Sequence, residues 1–458
     1  MVDLLNERCE GKKVLLLGFG KEGQSSYRVL RKLLPEQPLT IADRDPEVAN
    51  HPCAAGDPKV LFRCGDHYLD GLNTFEVILK SPGISFKDLS DPPDKQKITS
   101  QTDLFLQAYS PRITGITGTK GKSTTSSLIA HILQTAGTDA ILLGNIGTPA
   151  FHFLDRIGPE TRIVDELSSH QLEYIHRGPH IALLLNLYQE HLDAYPSFLA
   201  YRLAKLNIAR FQEAGDVLVY NADDPLLREH LAEMNLPQML VPFSLAGSFE
   251  TGGFREENEL VIRMPGKEEL RFRGIHNRYL RGEHNLRNIL AAVCATALLG
   301  VDQEAIYEGL SSFKGLAHRM EYLGVFHGIA FYNDSIATIP EACMAAVNAL
   351  PDVSTLILGG FDRGIDYAPL AAFLARSAVQ NIILVGAAGR RIGTGIEKTI
   401  KSGKQLFYIN RFDDFLPLVL KHATPGTTCL LSPAAASYDE FRSFEERGFR
   451  YRELVTGL

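Results

Sequence analysis

The sequence predicts an α/β fold in three domains, and three observations predict it. The chain has 458 residues, enough for about three domains of ordinary size. Short apolar runs rich in Val, Ile and Leu alternate with helical patterns, the rhythm of βαβ units and mostly parallel sheets. Several runs end in Gly, Asn, Asp or Ser before a helix begins. Ligands of open parallel sheets bind at the carboxyl ends of strands, so the residues after each run are the first candidates for function.

In chain order the strand candidates are Val14–Leu17, Leu39–Ala42, Val77–Leu79, Ile141–Leu143, Ile163–Val164, Ile181–Leu185, Val217–Tyr220, Thr355–Leu358, Ile382–Val385 and Cys429–Leu431. The polar stretch from Asp91 to Lys97 marks a boundary near residue 100, and a second falls near 315, ahead of His318-Arg319. The domains expected are therefore 1–100, 101–315 and 316–458. Residues 246–280 are rich in glycine and charge and read as hairpin or loop material inside the middle domain.

Composition narrows the function class. Apolar residues make up 45% and charged residues 22%, the profile of a soluble globular protein. The net charge of −7 lacks the basic excess of a dedicated nucleic-acid binder. The first ten residues lack the basic flank and apolar core of a secretory signal. No apolar run reaches the roughly 18 residues of a membrane span. The six cysteines are scattered with no C-x-x-C pair, which fits a reducing compartment. The expectation is a cytoplasmic protein with neither nucleic acid nor membrane as partner.

The strongest motif runs from Ile113 to Thr125, with glycines at Gly115, Gly118 and Gly121, then Lys122, Ser123 and Thr124. A helical pattern through Leu128, Ile129, Ile132 and Leu133 follows. A glycine-rich turn feeding a helix N-terminus aims backbone N–H groups and the positive end of the helix dipole at a phosphate. Thr119 lies within the turn, Lys122 can reach the β- and γ-phosphates, and Ser123 or Thr124 can offer a hydroxyl to Mg²⁺. The strict P-loop pattern has glycine where this chain has Ile116. This loop makes the central domain an α/β domain of the P-loop ATPase type.

A second glycine motif opens the chain. Val14–Leu17 leads into Gly18-Phe19-Gly20-Lys21-Glu22-Gly23, and Asp43 ends the next strand. The pattern is that of a Rossmann-like dinucleotide domain. NAD, another nucleotide diphosphate, and a helix-packing turn without ligand all fit it, because backbone amides do not inspect the nucleoside. Ser81-Pro82-Gly83 would form the opposite lip.

Three further strand ends follow the phosphate loop. At Gly144-Asn145, the Asn145 amide can donate to a sugar or phosphate oxygen, or stabilise a turn. At Asp165-Glu166 either carboxylate can hold Mg²⁺. At Asn186 to Asp193, His191 is a further candidate. A helix from about Ser197 to Gln212 carries Lys205 on the stripe of Phe198, Tyr201 and Ile208. A buried lysine has a depressed pKa, and its neutral amine can add CO₂ to become a carbamate, an oxygen ligand for a second metal.

Taken together these motifs resemble the Mur ligases. The resemblance rests on Gly115–Thr124, Glu166-Leu167-Ser168-Ser169, Asn186 with His191, Gly282–Asn288, His318-Arg319, Asn333-Asp334-Ser335 and Leu431–Ala434, in family order over almost the whole chain. It implies an ATP-dependent ligase of peptidoglycan precursor synthesis, monomeric, with a Rossmann-like C-terminal domain. Within the family, the branch it looks most like joins D-glutamate to UDP-N-acetylmuramoyl-L-alanine through an acyl phosphate, with ATP and two Mg²⁺ ions. An amide ligase of the same core acting on a different amino acid is the alternative.

The resemblance also implies site roles. Lys122 contacts the γ-phosphate; Ser123, Glu166, His191 and a carbamylated Lys205 hold metal. Asn285 and Asn288 sit where adenine is read, and Arg319 and Asp334 supply nucleotide contacts from the third domain, which closes over ATP. Gly20, Lys21, Asp43, Arg44 and Gly83 surround the uridine diphosphate, and Asn145 touches the muramoyl side. Thr338, Arg363, Ser437 and Phe444 match the D-glutamate pocket. Ile336 stands where the family usually has lysine, and Arg363 is the cation that would compensate.

Overall fold

Val14–Leu17 (β1) is apolar and buried at all four positions, as the centre of a sheet covered on both faces requires. The computed structural model containing it describes residues 1–144, 148–190, 194–273, 279–280, 282–399 and 403–458. Three sheets lie among the described residues, in two units. The first unit runs to Arg273 and resumes over Glu283–Ser312, and the second holds Phe313–Leu458.

Helix α1 (Val2–Cys9) precedes the first sheet, which is built from β1, β2 (Leu39–Asp43), β3 (Val60–Cys64), β4 (Val77–Lys80) and β5 (Ile98–Thr99). Their order is β3-β2-β1-β4-β5, with every pairing parallel. Helix α2 (Lys21–Leu33) crosses from β1 to β2 and buries Tyr27 and Leu30. Chain direction across the sheet reverses between β1 and β4, so their carboxyl ends frame a crevice.

The second sheet, in the same unit, follows α3 (Gln101–Tyr109), which is capped by the Ser100 hydroxyl accepting from Asp103 N. Its elements are β6 (Ile113–Thr117), α4 (Lys122–Thr135), β7 (Ala140–Gly144), β8 (Arg162–Glu166), α5 (Ser169–Leu172), β9 (Ile181–Leu184), α6 (Phe198–Arg210), β10 (Val217–Asn221), α7 (Pro225–Glu233) and β11 (Met239–Ser244). Three strands follow, β12 (Gly252–Glu256), β13 (Glu259–Arg263) and β14 (Leu270–Arg273). The order is β14-β13-β12-β11-β10-β9-β6-β8-β7. Strands β12 to β14 pair antiparallel, so the described part of 246–280 is hairpin material that extends the sheet.

Helices α8 (Glu283–Leu298) and α9 (Gln303–Ser312) complete this unit. Leu128, Ile129, Ile132 and Leu133 of α4 are all buried to within 1%, and each contributes about 1.5–3 kcal/mol. Gly309 of α9 lies so close that a Cβ there would stand 2.8 Å from Ile132. This packing fixes α4, and with it the phosphate loop at its N-terminus.

The second unit contains β15 (Glu321–Phe326), β16 (Ile329–Asn333), α10 (Pro340–Ala349), β17 (Val353–Gly359), α11 (Ala368–Arg376), β18 (Asn381–Val385), α12 (Gly386–Thr399), β19 (Gln405–Ile409), α13 (Phe415–His422), β20 (Thr428–Leu431) and α14 (Phe444–Thr456). The order is β15-β16-β20-β17-β18-β19, parallel except for β15 against β16. Leu356 and Leu358 of β17 enter one core and Ile357 the other, so the strand is covered on both faces. The six cysteines are free thiols. Among the described residues no helix is long and apolar enough to cross a membrane.

Candidate active site

Gly118 has φ +154° and Gly121 φ +87°, conformations that L side chains rarely adopt. A Cβ on Gly121 would also overlap the Asn288 side chain. The phosphate loop is thereby packed against α8, where Asn288 donates to Asn285 Oδ1 at 3.2 Å. Asn186 braces the loop from the end of β9: its Oδ1 accepts from Lys120 N at 2.8 Å and its amide donates to Lys120 O at 3.0 Å. Thr119 is buried, with its hydroxyl accepting from Tyr188 N at 2.9 Å and 3.0 Å from the Tyr201 hydroxyl. Ser123 and Thr124 lie in the first turn of α4, Thr124 the more buried.

Lys122 and Lys205 converge on this loop. Lys122 Nζ donates to Gly118 O at 3.0 Å and to Thr119 O at 3.2 Å. Lys205, on α6, is only 2% exposed, donates to Gly118 O at 2.9 Å and has its Nζ 4.9 Å from the Tyr201 ring centre. Burial first, and then the Lys122 charge, push the Lys205 pKa well below the ordinary lysine value. Burial penalises the charged amine where a second cation already stands.

Asp165 and Glu166 end β8 and are both 2% exposed, but neighbours in a strand point to opposite faces. Glu166 acts on the Lys205 charge. Asp165 lines a different cavity, with Glu22, and burial, followed by the charges of Glu166 and Glu22, raises its pKa to about 7. Of the two carboxylates the sequence leaves open, Glu166 is thus the one on the lysine side. A carboxylate is an oxygen ligand of the kind Mg²⁺ takes together with substrate phosphates. Asn145 and His191 lie outside the described residues.

In the first sheet, Gly20, Lys21, Asp43, Arg44 and Gly83 all line one cavity of 340 Å³ at the carboxyl ends of β1, β2 and β4. The glycine turn is forced: a Cβ on Gly23 would overlap Gly18 O, and Gly18 itself has φ +91°. Asp43 Oδ2 accepts from Phe19 N at 2.6 Å and Oδ1 from Asp45 N at 2.9 Å, so this carboxylate holds the turn. The Ser81 hydroxyl ties the opposite lip to Gly18 O at 3.1 Å.

The second unit assembles its own set. Arg363 donates to Thr338 O at 2.9 Å. Ser437 is buried and Phe444 opens α14. The sequence does not single out Arg447, which is 2% exposed and ties these loops together. Its guanidinium donates to Ser335 Oγ at 3.0 Å and to the carbonyls of Ser335, Ala435 and Ala436 at 2.9, 3.1 and 3.2 Å. Asp334 is buried and accepts from Ser432 Oγ at 2.9 Å and Met320 N at 3.2 Å, holding the turn that carries exposed Arg319. Burial raises the Asp334 pKa to about 7. Ile336 is half-buried beside them.

Two family profiles match this chain. The Mur ligase middle domain covers residues 116–296, and the Mur ligase glutamate ligase domain covers 318–435. The UDP-N-acetylmuramoylalanine–D-glutamate ligase of Symbiobacterium thermophilum is 36% identical over 92% of this chain and 91% of its own. The chain belongs to the Mur ligase family. The Listeria monocytogenes protein of the same name is 34% identical over 99% of this Mur ligase and 98% of its own length. Solved structures share the Mur ligase fold. MurF from Acinetobacter baumannii matches with TM-score 0.57 and 19% identity over 78% of this chain and 79% of its own. UDP-N-acetylmuramate-alanine ligase MurC from Thermotoga maritima matches with TM-score 0.54 and 18% identity over 97% and 99%.

Proposed function

We propose that this chain joins D-glutamate to UDP-N-acetylmuramoyl-L-alanine at the expense of ATP, a cytoplasmic step toward peptidoglycan carried out by a monomer. The observation that carries this proposal is the meeting of Lys122 and a buried, charge-disfavoured Lys205 on one carbonyl of the phosphate loop. The relatives named for this reaction span nearly the full chain.

The chemistry follows from the groups. A carboxylate acylates poorly because oxide is a bad leaving group. Transfer of the γ-phosphoryl forms a P–O bond to the alanyl carboxylate and breaks the bond to ADP. The amine of D-glutamate then forms the C–N bond, phosphate departs with one former carboxylate oxygen, and the amine loses a proton. Loop amides and Lys122 hold the phosphates and stabilise charge as it moves outward. Asn285 and Asn288, beside the loop, are assigned to adenine, and Arg319 and Asp334 are assigned as nucleotide contacts.

Glu166, Ser123 and His191 are assigned as Mg²⁺ ligands, at two sites. Bound Mg²⁺ would neutralise phosphate charge and polarise the acyl oxygen. Lys205, once deprotonated, would add CO₂ with release of a proton, and its carbamate would offer a further oxygen ligand to Mg²⁺. The first sheet, within 1–100, is assigned to the uridine diphosphate through Gly20, Lys21, Asp43, Arg44 and Gly83. Asn145 is assigned to the muramoyl side. The second-unit loops with Thr338, Arg363, Ser437 and Phe444 are assigned to D-glutamate, since a guanidinium suits a dicarboxylate.

Isotope transfer tests the activation step. With ¹⁸O in the alanyl carboxylate, one labelled oxygen is expected in each phosphate released. Unlabelled phosphate would remove the acyl phosphate from the mechanism.

A further inference from the structure

A second cavity, of 190 Å³, adjoins the nucleotide-diphosphate cavity of the first unit. Lys21 and Glu22 line both, so a ligand held in the first can continue into the second. Asp165 at the end of β8, Gln171 on α5 and Thr148 all line the second cavity.

Asp165 is 2% exposed, and its Oδ1 has no hydrogen-bond partner among the described residues. A buried acceptor left unpaired is rare in folded proteins. Gly144, which also lines this cavity, has φ +102°, and a Cβ there would overlap Asp165 Oδ1. Glycine therefore lets the end of β7 approach that oxygen closely.

The other polar groups on the wall narrow the ligand. Gln101 is committed, donating to Ser26 Oγ at 3.0 Å and accepting from Phe151 N at 3.2 Å. Gln171 Oε1 accepts from Ser168 N and Ser168 Oγ, both at 2.9 Å, which leaves its amide as a donor. The wall thus presents acceptors at Asp165 and Glu22 and donors at Gln171 and Lys21. Two carboxyl groups disfavour an anion. Lys21 disfavours a bare cation, and among the described residues no group of three acids, imidazoles or thiols is gathered for a metal. A neutral ligand carrying both hydroxyl and amide groups fits this mixture.

We infer that Asp165, with Glu22 beside it, is a specificity-determining contact for the sugar-and-amide portion of the uridine nucleotide, Asp165 Oδ1 accepting a hydrogen bond from a hydroxyl or amide N–H there. This rests on the proposed function and adds a contact that the diphosphate alone cannot make.

Calorimetric titration of the full chain with UDP and with UDP-N-acetylmuramoyl-L-alanine tests it, in the wild type, Asp165→Ala and Asp165→Asn. Asp165→Ala is expected to weaken the UDP-sugar about tenfold or more and to leave UDP binding unchanged. Asp165→Asn keeps an acceptor oxygen and is expected to retain most of the affinity. Thermal unfolding of Asp165→Ala at or above the wild-type Tm is expected too, because the substitution removes a buried carboxyl oxygen without a hydrogen-bond partner. Undiminished UDP-sugar binding by Asp165→Ala overturns the inference alone, as does an equal loss for both nucleotides. A wild type that binds neither nucleotide removes the functional proposal and this inference with it.

Discussion

Lys122 and Lys205 donate to the same acceptor, the carbonyl of Gly118, at 3.0 and 2.9 Å. Two ammonium groups on one buried carbonyl repel each other, and the charge of the more buried one is the more strongly disfavoured. That is Lys205, whose pKa lies well below the ordinary value through burial and then through Lys122.

The first prediction concerns catalysis by that amine. Lys205→Ala is expected to lower kcat by about a hundredfold or more, the scale of losing one charge-stabilising group. Acetate or formate, which can supply a carboxylate in place of a carbamate, is expected to restore part of the rate. A steady-state assay with and without these anions checks it; an unrescued variant would speak against the carbamate.

A stability effect should accompany this. A lysine whose folded pKa is depressed binds fewer protons folded than unfolded, so stability rises with pH across the window between the two values. The burial penalty is full below the depressed folded pKa and gone above the unfolded value of about 10.4. Lys205→Met is therefore expected to be at least as stable as wild type near neutrality. Its advantage should shrink as pH approaches that upper limit, as measured by urea denaturation at a series of pH values.

Gly121 supplies a third test. Its φ of +87° and the closeness of Asn288 leave no place for a side chain. Gly121→Ala is expected to cost roughly 1–2 kcal/mol from the left-handed backbone alone. Displacement of Asn288 should weaken ATP binding as well. Denaturation and ATP titration of the one variant read out both effects.

Arg363 donates to Thr338 O at 2.9 Å, which ties a guanidinium to the loop that carries Ile336, where the family usually has lysine. Arg363→Ala is expected to raise the KM for D-glutamate much more than that for ATP. Equal changes in the two constants would exclude Arg363 as the compensating cation.

How far the sequence discloses this molecule depends on whether the constraint is local. The two glycine turns are legible because close approaches force glycine at Gly18, Gly23 and Gly121. Buried central strands such as β1 and β17 are legible as apolar runs. Strands β3 and β19 are not, because each lies at the edge of its sheet and is partly exposed, with mixed side chains. The choice between Asp165 and Glu166 is hidden because adjacency does not tell which face of β8 meets Lys205. Arg447 carries no local signal at all. Its partners, Ser335 and Ala435–Ala436, come from separate loops, and only the folded second unit brings them to one guanidinium.

The ligase assignment is tested most directly by ADP release measured with UDP-N-acetylmuramoyl-L-alanine and each of several amino acids, in the wild type and in Lys122→Ala. ADP is expected in step with amide product only when D-glutamate is present, and to be nearly abolished in Lys122→Ala. Release supported by L-alanine, L-lysine or L-glutamate but not D-glutamate, or product formed without ADP, would contradict it.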